Sequence, residues 1–120
     1  MNKSKKFTDL LVWQKSHQFV LKIYKATSYF PKEEIYGPTS QIRRASVSIP
    51  ANIAEGFVKR GTNDKIRYYN IAQGSLEEVK YYLILIHDLE YSNTIELKEF
   101  ANEIGKLLNG YINRILNPNF

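Results

Sequence analysis

The chain has 120 residues, 43% of them apolar, with 17 Lys/Arg against 12 Asp/Glu and no cysteine. That length and composition give one domain with a single core and exclude a disordered chain. The missing cysteine excludes disulfides, thiolate metal sites and cysteine nucleophiles. The charge is uneven: residues 1–67 hold 13 Lys/Arg against 5 Asp/Glu, a net +8, whereas residues 68–120 hold 4 against 7, a net −3. Such asymmetry points either to a polyanionic partner or to a subunit whose basic half meets its neighbour's acidic half. The apolar run that follows Lys3, Lys5 and Lys6 is only Leu10 to Trp13, bounded by Asp9 and Gln14. It is too short for a signal peptide or a membrane span, so a cytoplasmic protein with no membrane partner is expected.

Four helices are read in chain order, with no strand alternation. The first spans residues 9–28 with Thr8 as N-cap. Its apolar stripe is Trp13, His17, Val20, Tyr24 and Thr27, widened by Val12, Phe19 and Ile23. Phe30-Pro31 stops it, because a residue before proline disfavours the helical region. The second opens near Tyr36-Gly37-Pro38, with proline suited to a first turn. It buries Ile42, Ala45, Ile49 and Ile53 and ends near Gly56, read as a cap or hinge. Pro50 lies inside it, where a bend is expected. Ser46 and Ser48 are placed to satisfy carbonyls freed there. Asn52 and Glu55 follow, either as a recognition pair or as groups binding neighbouring backbone.

The third helix covers residues 64–91, roughly 40 Å. Ile66, Tyr69, Ala72, Leu76, Val79, Leu83 and Ile86 recur at helical spacing, and residues 81–89 are apolar almost all round. A helix of that kind buries more than one face, so Tyr81, Ile84 and Leu85 are read as a contact between subunits. After a turn at Ser92-Asn93-Thr94, the fourth helix uses Leu97, Phe100, Ala101, Ile104, Leu107, Leu108, Tyr111, Ile112 and Ile115, and ends before Pro118. Short connections between four helices predict an all-α, antiparallel up-down-up-down four-helix bundle, with helix two bent at its proline. The single domain spans residues 1–120, with 1–7 flexible and 117–120 a tail.

No catalytic constellation is visible. His17 and His87 fall on apolar faces and read as core or interface histidines. The Glu-x-x-His pairs of carboxylate-bridged metal bundles and the glycine-rich phosphate loop are both absent from the sequence. Ser46, Ser48 and Ser75 have no histidine partner at local spacing. An enzyme, a metal site and a cofactor are therefore not expected. The functional candidates are cations: Arg43, Arg44, Lys59, Arg60, Lys65 and Arg67. Arginine grips phosphate with two bonds and lysine adds a point charge. Tyr68 and Tyr69 adjoin them. At most one of the two faces the core, leaving the other available to stack on a base. The alternative is that these charges are solvated, or paired within the subunit with Glu55, Glu77 or Glu78.

Several runs carry a family resemblance: Val12-Trp13-Gln14-Lys15, Phe30-Pro31-Lys32-Glu33-Glu34, Ser40-Gln41-Ile42-Arg43-Arg44-Ala45, Ser48-Ile49-Pro50-Ala51-Asn52-Ile53-Ala54-Glu55-Gly56 and Ile71-Ala72-Gln73-Gly74-Ser75-Leu76-Glu77-Glu78. Over residues 7–116 the chain resembles the four helix bundle protein family, the intervening-sequence proteins of large-subunit ribosomal RNA genes. The resemblance implies an antiparallel bundle assembled as a ring, a homopentamer, with no known enzymatic activity. The family is similar to the accessory protein of diversity-generating retroelements, a basic pentameric barrel that binds a reverse transcriptase and nucleic acid. Carried over by position, this implies nucleic-acid contacts at Arg43, Arg44, Lys59 and Arg60. The resulting expectation is a non-enzymatic homo-oligomer that binds RNA or DNA through a basic surface as an accessory factor, with a reverse transcriptase or other protein as a further partner. The alternative is a ring-forming protein-interaction scaffold that binds no nucleic acid.

Overall fold

A computed structural model of the chain describes residues 4–34 and 37–119. The expectations for residues 1–3, for Tyr36 and for Phe120 lie outside the described residues. Four helices form: α1 (Leu11–Thr27), α2 (Pro38–Phe57), α3 (Thr62–Asp88) and α4 (Ile95–Leu116). There is no strand among the described residues. Each helix packs on its sequence neighbours and α4 closes onto α1, while the diagonal pairs do not touch. That is an up-down-up-down bundle, 48 × 23 × 20 Å. No described helix is long and apolar enough to cross a membrane.

The start of α1 departs from expectation. Residues Phe7–Asp9 make a 3-10 turn, Leu10 is extended, and the α-helix begins at Leu11 with no side-chain cap. Asp9 shapes this entry, its carboxylate accepting the Lys5 and Lys6 amides at 3.2 and 3.1 Å. The buried face of α1 is also rotated from the expected stripe. Val12, Ser16, Phe19, Val20, Ile23 and Thr27 are buried, whereas Tyr24 and His17 are exposed. Ser16 can enter the core because its hydroxyl donates to the Val12 carbonyl at 2.7 Å, leaving no unpaired polar atom. His17 lies flat on the half-buried Trp13, ring centroids 5.2 Å apart.

Helix α2 continues unbroken through the buried Pro50. Around it, Ser46 donates to the Arg43 carbonyl at 2.9 Å, and the Asn52 amide donates to the Ser48 carbonyl and hydroxyl at 2.8 and 2.9 Å. Asn52 thus serves local backbone, while Glu55 stays exposed. Ser75 of α3 donates to the same Ser48 hydroxyl at 2.8 Å, tying the two helices.

Gly56 neither caps the helix nor hinges it. It is buried within α2, and Val58 is the C-cap. What requires glycine is close approach: a Cβ at position 56 would lie 2.6 Å from Tyr69 Cε1 and 3.0 Å from Cζ. Tyr69 is fully buried, and its hydroxyl lies 3.3 Å from that of Tyr111. Burial, with the Tyr111 hydroxyl beside it, holds the Tyr69 phenol far above its ordinary titration range.

Helix α3 buries Tyr69, Ala72, Leu76, Val79, Leu83 and Ile86, as its spacing predicts, with Ile66 half-buried. It stops at Asp88 rather than at 91. Glu90 adopts a left-handed backbone (φ 62), and the amides of Glu90 and Tyr91 return to the carbonyls of His87 and Ile86 at 3.0 and 3.1 Å. This is the Schellman arrangement with glutamate where glycine is usual. In the following turn, Thr94 is buried and donates to the Leu83 carbonyl at 3.0 Å. Helix α4 buries Ala101, Ile104, Leu108 and Ile112 along its single stripe.

Two substitutions should move stability in opposite directions in denaturant titrations. Gly56→Ala forces Tyr69 against a filled core and is expected to cost about 1–3 kcal/mol. Glu90→Gly relieves the left-handed strain and is expected to stabilise by about 1 kcal/mol.

Candidate nucleic-acid interface

The six cations singled out in the sequence do not form one patch. Arg43 and Arg44 lie on the first half of α2, and the other four surround the α2–α3 connection at residues 58–61. Roughly 20 Å of helix separates Arg43 from Phe57.

The two arginines of α2 are divided by helical geometry. Consecutive residues point about 100° apart, so Arg43 turns toward α1 and Arg44 toward solvent. Arg43 Nε donates to Thr27 Oγ1 at 2.8 Å, and its guanidinium lies 4.7 Å from the centroid of the Tyr24 ring. The Thr27 hydroxyl passes its own hydrogen to the Ile23 carbonyl at 2.8 Å. Arg43 is therefore a tie between helices, and Arg44 alone of the pair is exposed.

Lys65 is likewise used within the fold. Its ammonium donates to the Phe57 carbonyl at 2.7 Å and to the Gly56 carbonyl at 3.3 Å, closing the C-terminal end of α2. Cations suit that end, where carbonyls lack intrahelical partners. Partial burial lowers the amine's pKa from its ordinary value.

What remains at the corner is a cluster around Tyr68. Lys59 Nζ and Arg67 Cζ each lie over the Tyr68 ring, 5.1 Å from its centroid. Arg67 also meets Asp64 at 3.6 Å, an exposed pair one helical turn apart of the kind that contributes little. Arg60 is exposed beside them. Among the described residues no carboxylate pairs with Lys59 or Arg60, so the pairing with Glu55, Glu77 or Glu78 weighed from the sequence does not occur there. Glu77 pairs with Lys80 instead, at 3.1 Å. Of the two adjacent tyrosines, Tyr69 is in the core and Tyr68 is the half-buried one outside.

The apolar half of α3 emerges as its composition suggests. Tyr81 is 57% exposed and Ile84 48%, and Leu85 is half-buried. His87 is exposed and lies 3.4 Å from the Asp88 carboxylate, so neither histidine is a core residue. Among the described residues no group of three His, Cys, Asp or Glu side chains is placed to hold a metal. A groove of about 690 Å³ between the end of α1 and the start of α4, lined by Lys22, Lys25, Tyr29 and Phe100 among others, was not apparent from the sequence. It holds no histidine.

The sequence profile of the 23S rRNA-intervening sequence proteins matches residues 8–110. The chain belongs to that family. Among solved structures, this intervening-sequence protein is similar to the crystal structure of a protein with unknown function from the S23 ribosomal protein family of Bacteroides thetaiotaomicron VPI-5482. The two are 30% identical, the match covers 85% of this chain and 98% of the other, and the TM-score is 0.76. No curated protein matches the chain.

The unlike roles of the paired arginines are separable in this family member by thermal or denaturant unfolding. Arg43→Ala is expected to cost about 1–2 kcal/mol through the lost Thr27 bond and Tyr24 contact. Arg44→Ala should stay within about 0.5 kcal/mol of the parent.

Proposed function

We propose that this intervening-sequence protein is a non-enzymatic, homo-oligomeric bundle that binds RNA or DNA through the α2–α3 corner. The observation that carries the reading is the pair Lys59 and Arg67 over the Tyr68 ring, with Arg60 exposed next in the chain to Lys59. Among the described residues Lys59 and Arg60 have no carboxylate partner, and Arg67 is in a weak exposed pair. Arg44 adds an outlying cation on the same helix that leads into the corner. The +8 balance of residues 1–67, which includes these cations, is in keeping with a polyanionic partner. Arg43 and Lys65 drop out of the binding set, because moving either to a phosphate would break a contact that holds helices together.

Binding of this kind falls with salt, because each neutralised phosphate releases counterions. Titrating the protein against a structured RNA and a DNA duplex over a salt series should give affinity that drops steeply as salt rises. Lys59→Ala, Arg60→Ala and Arg67→Ala should each reduce the slope of log K against log salt by about one per engaged subunit. An unchanged slope in all three variants would remove the corner as the anchor.

A second reading rests on a different observation. Tyr81 and Ile84 on α3 and Leu89 at its C-cap are exposed apolar side chains, which suit a contact with another protein surface. In that case the molecule is a ring-forming scaffold, and absence of nucleic-acid binding at low salt would favour it. Both readings require self-association. Light scattering at micromolar concentration should report a mass several times the 14.0 kDa of one chain, and a monomer would sink the oligomer in both.

A further inference from the structure

The arrangement about Tyr68 bears on which part of a nucleic acid is held, a question that rests on the binding reading above. A base that stacks on tyrosine must come within about 3.5 Å of the ring face. Over this ring two cations already sit, Lys59 Nζ and Arg67 Cζ, each 5.1 Å from the centroid. The residue sits against α2: it is half-buried, and a Cβ at position 56 would lie 3.1 Å from the Tyr68 Cβ. Two like charges drawn to one aromatic ring repel each other, and among the described residues the carboxylate that pairs with either is Asp64, which reaches Arg67 at 3.6 Å from an exposed position. An anion drawn to either cation would offset that repulsion. A flat, uncharged base would have to displace a cation and would offset none of it.

We propose that the corner reads the sugar–phosphate backbone and not the bases. Tyr68 is a positioning residue that seats Lys59 and Arg67 as a pair of phosphate donors. The ligand class is therefore a nucleic-acid backbone of either sugar, without regard to sequence.

The test compares a fluorescently labelled DNA strand with an abasic strand of the same phosphate number, each titrated with the full-length protein at low salt. The expected result is equal affinity within about twofold, because the phosphate count sets the binding. Tyr68→Phe keeps the ring face and should keep both affinities. Tyr68→Leu should weaken both strands alike and lower the salt slope, with the thermal melt unchanged. Abasic binding weaker by about tenfold or more, the size of effect a stacked base supplies, would overturn the proposal while leaving nucleic-acid binding intact. A Tyr68→Leu effect confined to the base-bearing strand would overturn it in the same way. No binding of either strand would overturn both this inference and the function it rests on.

Discussion

The closeness of α2 to α3 at Gly56 is the constraint on which the corner of this molecule depends. With no side chain at position 56, the Tyr69 ring lies against the α2 backbone and reaches Tyr111 on α4. Three helices are thereby referenced to one buried ring. The approach also places Lys65 within reach of the last α2 carbonyls, so the end of one helix is closed by a side chain from the next. Tyr68 immediately precedes Tyr69, and helical geometry turns it outward as its neighbour turns in. Its position, and that of the cations over it, descends from a glycine on the opposite helix.

Much of this was legible in the sequence where one residue type had one role. The stripes of α3 and α4 are regular. That of α3 is buried but for the half-buried Ile66, and in α4 Ala101, Ile104, Leu108 and Ile112 are buried while Leu97, Phe100, Leu107, Tyr111 and Ile115 pack half-buried against them. Pro38 at the first turn of α2 and Pro31 after α1 mark boundaries through their fixed backbone. The face of α1 was misplaced because residues that carry both apolar and polar atoms weigh ambiguously in such a pattern. Trp13, His17 and Tyr24 look apolar yet lie at the margin or outside. Ser16 looks polar yet is buried by bonding its own helix. Gly56 and Glu90 show the same difficulty for backbone: a glycine near a helix end suggests a cap, and the actual left-handed cap is a glutamate.

The candidate site was legible only as a count of charges. Sequence spacing brings Arg43 and Arg44 together, but the partner that occupies Arg43 lies 16 residues away on another helix. Lys65 and Lys59 are alike in type and near in sequence, yet one faces α2's final carbonyls and the other a tyrosine ring. Such distinctions depend on which atoms the fold brings within 3–5 Å, and local pattern does not encode them. What the structure adds is a division of labour among cations: Arg43 and Lys65 hold helices, Arg67 meets an exposed carboxylate, and Lys59 and Arg60 lie at the corner with no carboxylate paired to them among the described residues.

The brevity of the connection between α2 and α3 bears on how the chain reaches this state. Only residues 58–61 separate the two helices, and this pair shares the most extensive contact in the bundle. Closing so short a loop spends little chain entropy, whereas bringing α4 onto α1 must join segments at opposite ends of the sequence. The α2–α3 hairpin is consequently the least expensive pair to assemble, and the basic corner belongs to the portion of the molecule that can organise before the bundle closes.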